Sequence, residues 1–173
     1  MNKNVKLTLS AMFLALGVLL PQVTHLLPEF AKQLSLMHIP TYIGGMICGP
    51  LYGVIIGVFS PLLSMLLFSM PNGLSLYSMM IELGVYGFMS GLLYRSINTK
   101  NNIVNIYLSL IGSMITGKIV YGICNVLIFK AGQYSFSLWI TAAFISGFIG
   151  IIVHLVIIPP IIMLFQKKVN YNK

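Results

Sequence analysis

Apolar residues run in long blocks along this chain, separated by short polar or turn-forming breaks. Six blocks can be read, over residues 5–23, 37–49, 52–70, 74–94, 103–129 and 136–165. Most approach the ~20 residues a helix needs to cross the hydrocarbon core of a membrane. The breaks carry the expected residue types: a polar stretch over 24–35, Gly49-Pro50, Pro71-Asn72-Gly73, the segment from Arg95 to Asn102, and Lys130-Ala131-Gly132-Gln133. The second block is the shortest, and the sixth is long, with Pro159-Pro160 near its end. The pattern predicts an all-α integral membrane bundle of six transmembrane helices, forming a single membrane domain over 1–173.

Composition narrows the environment. Only 7% of the residues are charged and 58% are hydrophobic, with a mean hydropathy of +0.95. A soluble domain carries about 25% charged residues, so most of this surface has to face lipid. The net charge of +8 would suggest a nucleic-acid partner in a soluble protein. Here the basic residues flank apolar blocks, where they orient a chain in a membrane, and no nucleic acid is expected. With the N-terminus cytoplasmic, Lys3, Lys6, Arg95, Lys100, Lys167, Lys168 and Lys173 fall inside, against Lys32 and Lys130 outside. Both termini are therefore expected in the cytoplasm. The N-terminal block looks like a signal peptide but lacks an A-x-A-like cleavage site, so it reads as a retained first span.

Small residues recur at helical spacing. Gly45, Gly49, Gly53 and Gly57 are four apart, as are Gly87 and Gly91, and such spacing lets helix backbones approach closely in lipid. Cys48 and Cys124 lie inside apolar blocks without metal-ligand spacing and read as small hydrophobes.

Two charges fall well inside predicted spans: Glu82 in the fourth and Lys118 in the fifth. An unpaired charge at the bilayer centre costs about 2.5–3.5 kcal/mol on insertion scales, so such residues face the protein interior and are functional candidates. Glu82 lies roughly 10 Å in from the outer end of its span and Lys118 roughly 15 Å, at 1.5 Å per residue. They are near enough in height to pair, or to hold opposite ends of one small ligand. Lys118, Tyr121, Asn125 and Phe129 share one helix face, and Ser75, Ser78, Glu82 and Tyr86 share another. Trp139 is placed level with them at the outer start of the sixth span. Two readings follow: a small-molecule pocket, or a structural ion pair with the aromatic residues as interface anchors. His38 either lines the entrance or is a wetted interfacial residue, and His154 is expected to pack within the bundle. No G-x-S-x-G, H-E-x-x-H or Walker-type loop occurs. The chain does not read as an enzyme, and it carries no metal site.

Several ordered pieces resemble a known family. Met37-His38-Ile39-Pro40-Thr41, Gly44-Gly45, Gly49-Pro50-Leu51-Tyr52-Gly53, Gly57, Pro61 and Ser64 are similar to substrate-binding (S) components of energy-coupling factor (ECF) transporters. Glu82-Leu83, Tyr86-Gly87, Ser90-Gly91-Leu92-Leu93-Tyr94 and Gly117-Lys118 continue the likeness. The resemblance implies a six-helix protein of the prokaryotic plasma membrane that binds a vitamin or similar micronutrient near the outer face. It also implies docking on a scaffold membrane subunit bearing two ATPases, so that ATP is used by the partners and this chain needs no cofactor of its own. In the family, docking uses an A-x-x-x-A pattern on the first helix, matched here by Ala11 and Ala15. Substrate contacts come from helices four to six and the loop after helix one, which places Glu82, Tyr86, Lys118, Tyr121, Asn125 and Trp139 in the expected region, with His38 at the mouth. Among substrates the resemblance slightly favours pantothenate over pyridoxine-like or hydroxymethylpyrimidine compounds. A self-sufficient small carrier or a structural membrane protein are the alternatives.

Overall fold

The computed structural model describes residues 2–23, 35–71, 73–126, 141 and 147–171. Among these residues the chain is helical and without strands. Six helices follow in order: α1 (Lys3–Val23), α2 (His38–Cys48), α3 (Pro50–Phe68), α4 (Leu74–Ser96), α5 (Asn102–Cys124) and α6 (Phe148–Tyr171). Five of them are long and apolar enough to cross a membrane, and α2 is the exception. Against the expectation of six transmembrane helices, the described residues give six helices of which five have the length to span; α2 has only 11 residues, roughly 16 Å of helix against a core ~30 Å thick.

The ends of α2 and α3 follow from their sequence. Pro40 sits in the first turn of α2, where a missing N–H costs nothing. Gly49 then breaks the chain at φ 115°, a left-handed conformation that side chains avoid. Pro50 restarts it as the first residue of α3. Arg95, from the end of α4, donates through Nη2 to the Cys48 carbonyl at 3.1 Å and so caps the C-terminus of α2. At the other end of α3, Ser69 adopts the left-handed conformation and its N–H bonds the Met65 carbonyl at 2.8 Å. The first turn of α5 is capped by the Asn101 side chain, which accepts from the Ile103 N–H at 3.1 Å.

Packing explains how a helix as short as α2 can exist here. Nearly all of its residues are buried, and it contacts α1, α3, α4 and α6. Wrapped in protein, it does not have to span lipid, and the irregular backbone at Gly49 is tolerated for the same reason. The broadest contact lies between α3 and α4, and it depends on glycine. A Cβ on Gly53 would run into the Gly87 carbonyl, and a Cβ on Gly87 would strike that of Gly53; one on Gly45 of α2 would meet the same Gly87 carbonyl. Lipid-facing positions remain apolar: Leu51, Leu66, Leu67, Val156 and Leu164 are all exposed. In water such a surface would be untenable.

Hydropathy misplaces some ends. α4 continues to Ser96 and α6 to Tyr171, past the apolar limits at 94 and 165. A helix does not stop where its apolar run stops, because its backbone bonds are internal. For the sixth block, residues 136–140 and 142–146 lie outside the described residues. So do 24–34 (with Lys32), Phe129, Lys130, Trp139 and Lys173.

Candidate substrate site

Glu82 is the one acidic residue among those described, and it is buried. Its Oε1 accepts from Lys118 Nζ at 2.8 Å and from Tyr86 Oη at 2.7 Å. The Tyr86 bond spans one helical turn of α4, and the lysine reaches across from α5. Gly117 makes this approach possible, since a Cβ there would collide with the Tyr86 ring. Both charges are thus neutralised within the bundle, as charges at membrane depth have to be. The Lys118 ammonium also lies 5.8 Å from the centre of the Tyr121 ring, within cation–π range.

Around this pair stands a cluster of rings from three helices, α2, α4 and α6. Tyr42 and Tyr86 are 5.0 Å apart between centroids, His38 and Tyr86 5.3 Å, and His38 and His154 5.7 Å. Tyr42 meets His154 edge-on at 5.7 Å. The Ser35 carbonyl accepts from both imidazoles, at 3.0 Å from His38 Nδ1 and 3.3 Å from His154 Nε2. A single backbone oxygen therefore ties the chain entering α2 to α6.

The rings border a cavity of about 300 Å³. Its polar wall is Ser35, His38, Tyr42, Tyr86, Lys118 and His154. The apolar part of the lining comes from Ile111, Met114 and Ile115 of α5 and Ile151 and Leu155 of α6. A mostly apolar cavity with a few convergent polar groups is the usual form of a small-molecule site, and this volume lies at the small end of the range.

The candidates from the sequence divide accordingly. His38, Tyr86 and Lys118 line the cavity. Glu82 stands behind Lys118 and Tyr86 and holds both. Tyr121 flanks the ammonium. Asn125, fully buried, accepts from Ser78 Oγ at 3.2 Å and donates to the Tyr121 carbonyl at 2.8 Å, tying α4 to α5. Trp139 is outside the described residues. Ala11 and Ala15 are exposed on α1, away from the cavity.

Sequence reasoning passed over Tyr42, Ser35 and the aliphatic wall, and took His154 as a packing residue. Tyr42 lies four residues after His38, and Ile111, Met114 or Ile115, and Lys118 follow at three- and four-residue steps. Helical spacing could have found both sets. Nothing in the spacing brings His154 to α2, because that contact is purely tertiary.

A comparison with protein families places the chain. The family model of the ECF transporter, substrate-specific component, matches residues 5–162. The chain belongs to this family. No curated protein and no solved structure matches it. The S component is accordingly a multi-pass membrane protein of a transporter family rather than of an enzyme class. Membership implies a small-molecule substrate and association with the ECF scaffold and ATPase subunits.

Proposed function

We propose that this S component captures a water-soluble vitamin or related micronutrient at the outer face of a prokaryotic plasma membrane. It then releases the molecule inward when its scaffold subunit and two ATPases consume ATP. The observation that carries the reading is the cavity itself, small and largely apolar, with one ammonium in its wall. In this reading α2 counts as the second of six crossings and both termini are cytoplasmic. That arrangement leaves seven basic residues inside and two outside. The N-terminal end of α2 and the second half of α5, which border the cavity, then face the outer half of the membrane. The chain needs no cofactor, and ATP acts only in its partners.

A carboxylate-bearing vitamin suits a cavity with a lysine wall, which keeps pantothenate ahead of pyridoxine-like and hydroxymethylpyrimidine compounds. Docking falls to α1, where Ala11 and Ala15 are exposed and four residues apart, a spacing that permits close helix approach. Ala11→Trp or Ala15→Trp is expected to abolish uptake in cells while ligand affinity stays within about twofold of wild type. Uptake assays and calorimetry on the same variants check this. Substrate transport by the S component alone in liposomes, without ATPase subunits, would favour a self-sufficient carrier instead.

A further inference from the structure

We infer that the substrate carries an anionic group at one end and hydrogen-bond donors at the other, received by Lys118 and by the imidazoles of His38 and His154. The inference rests on the substrate-binding reading above and specifies its chemistry. Its starting point is the Ser35 carbonyl, which contacts His38 Nδ1 at 3.0 Å and His154 Nε2 at 3.3 Å. A carbonyl oxygen only accepts, so each ring carries its hydrogen on the nitrogen facing Ser35. This assigns the tautomers. In each neutral ring the second nitrogen, Nε2 of His38 and Nδ1 of His154, is an acceptor.

Neither of these acceptors has a hydrogen-bond partner among the described residues. Both rings are nine-tenths or more buried, with 9% and 4% of their surface exposed, and both line the cavity. Both residues line the cavity, so these two acceptors are complemented by a molecule there that supplies donors. Hydroxyl or amine groups meet that need.

Glu82 does not serve the same purpose. Its carboxylate is held by Tyr86 and Lys118 and is absent from the cavity wall. The donor end of the ligand, which the sequence alone would match to Glu82, is matched by the histidines instead. Lys118 sets the other end: its charge is balanced by Glu82, but its ammonium lines the cavity and, as a group that only donates, it matches an anionic acceptor rather than a cation. A metal ion fits poorly for the same reason, and among the described residues no three metal-ligating side chains cluster.

Two substitutions separate the acceptors from the clasp on Ser35. His38→Asn places an amide N–H where Nδ1 stands, and His154→Gln places one where Nε2 stands. Each keeps the bond to Ser35 and deletes the second nitrogen. The full chain, freed of co-purifying ligand, is titrated calorimetrically with three probes. Pantothenate has a carboxylate and hydroxyls, nicotinate has a carboxylate without hydroxyls, and pyridoxine has hydroxyls without a carboxylate. Pantothenate is expected to bind at least ~10-fold more tightly than either of the others. The double variant is expected to erase its advantage over nicotinate while keeping the wild-type unfolding temperature. Nicotinate binding as tightly as pantothenate to wild type overturns the donor half of the inference. Pyridoxine binding as tightly overturns the anion half. Either result leaves the substrate-binding reading standing, whereas binding of none of the three overturns the inference entirely.

Discussion

Lys118→Ala is expected to weaken ligand binding roughly 100-fold, the equivalent of one lost charge-assisted hydrogen bond of about 2–3 kcal/mol. The same change strands the Glu82 carboxylate, since Lys118 is the cation at 2.8 Å from it. Breaking a buried pair by removing one partner costs about 3–5 kcal/mol, so the variant should also be markedly less stable. That second effect could masquerade as a binding defect. Pairing Glu82→Gln with Lys118→Met resolves the ambiguity. The amide still accepts from Tyr86 Oη, no charge remains unpaired, and replacing a buried pair by neutral groups is often close to neutral for stability. The double variant should unfold near the wild-type temperature yet stay about 100-fold weaker in calorimetric titration. If it binds with wild-type affinity, Glu82 and Lys118 form a structural pair and nothing more.

The second large effect concerns the glycine contact between α3 and α4. Gly87→Ala is expected to cost about 3 kcal/mol, the upper end of the usual overpacking penalty. Its new Cβ would meet the backbone of Gly53 rather than a side chain that can move. Gly84, one turn earlier on the same helix, is the control. A Cβ there would lie 3.1 Å from Val58 Cγ2, a methyl group that can give by a few tenths of an ångström. Gly84→Ala also gains the helix propensity that glycine lacks, about 1 kcal/mol, so its net effect should be near zero. Unfolding of the two purified variants in detergent, followed by circular dichroism, gives the comparison. Equal stability in both would mean that α3 and α4 do not depend on backbone contact.

How much of this was readable beforehand depended on which force wrote the signal. Helix positions came through because lipid demands long apolar runs and because Gly49-Pro50 can hardly be anything but a break. Glu82 and Lys118 stood out because charge inside a span is so costly that each such residue calls for a partner. The central burial of α2 was invisible, however. In a membrane, lipid-facing and protein-facing positions are equally apolar, so hydropathy cannot tell an inner helix from an outer one. Only its short length hinted at a special place. His154 was missed for a related reason: its meeting with His38 and Tyr42 depends on how α6 packs against α2. Periodicity along one helix carries no record of that packing. The helix ends beyond 94 and 165 were missed because hydropathy reports the membrane boundary rather than the end of the backbone ladder.

The proposed function makes the S component a receptor for a small anionic molecule whose movement is driven by other subunits. Mass spectrometry of small molecules released from the purified, folded protein tests that most directly. The account predicts one vitamin-sized molecule per chain, bearing a carboxylate or equivalent anion, retained by wild type and lost from Lys118→Met with Glu82→Gln. A protein that holds no small molecule, and whose unfolding temperature moves with none of the water-soluble vitamins, would contradict it.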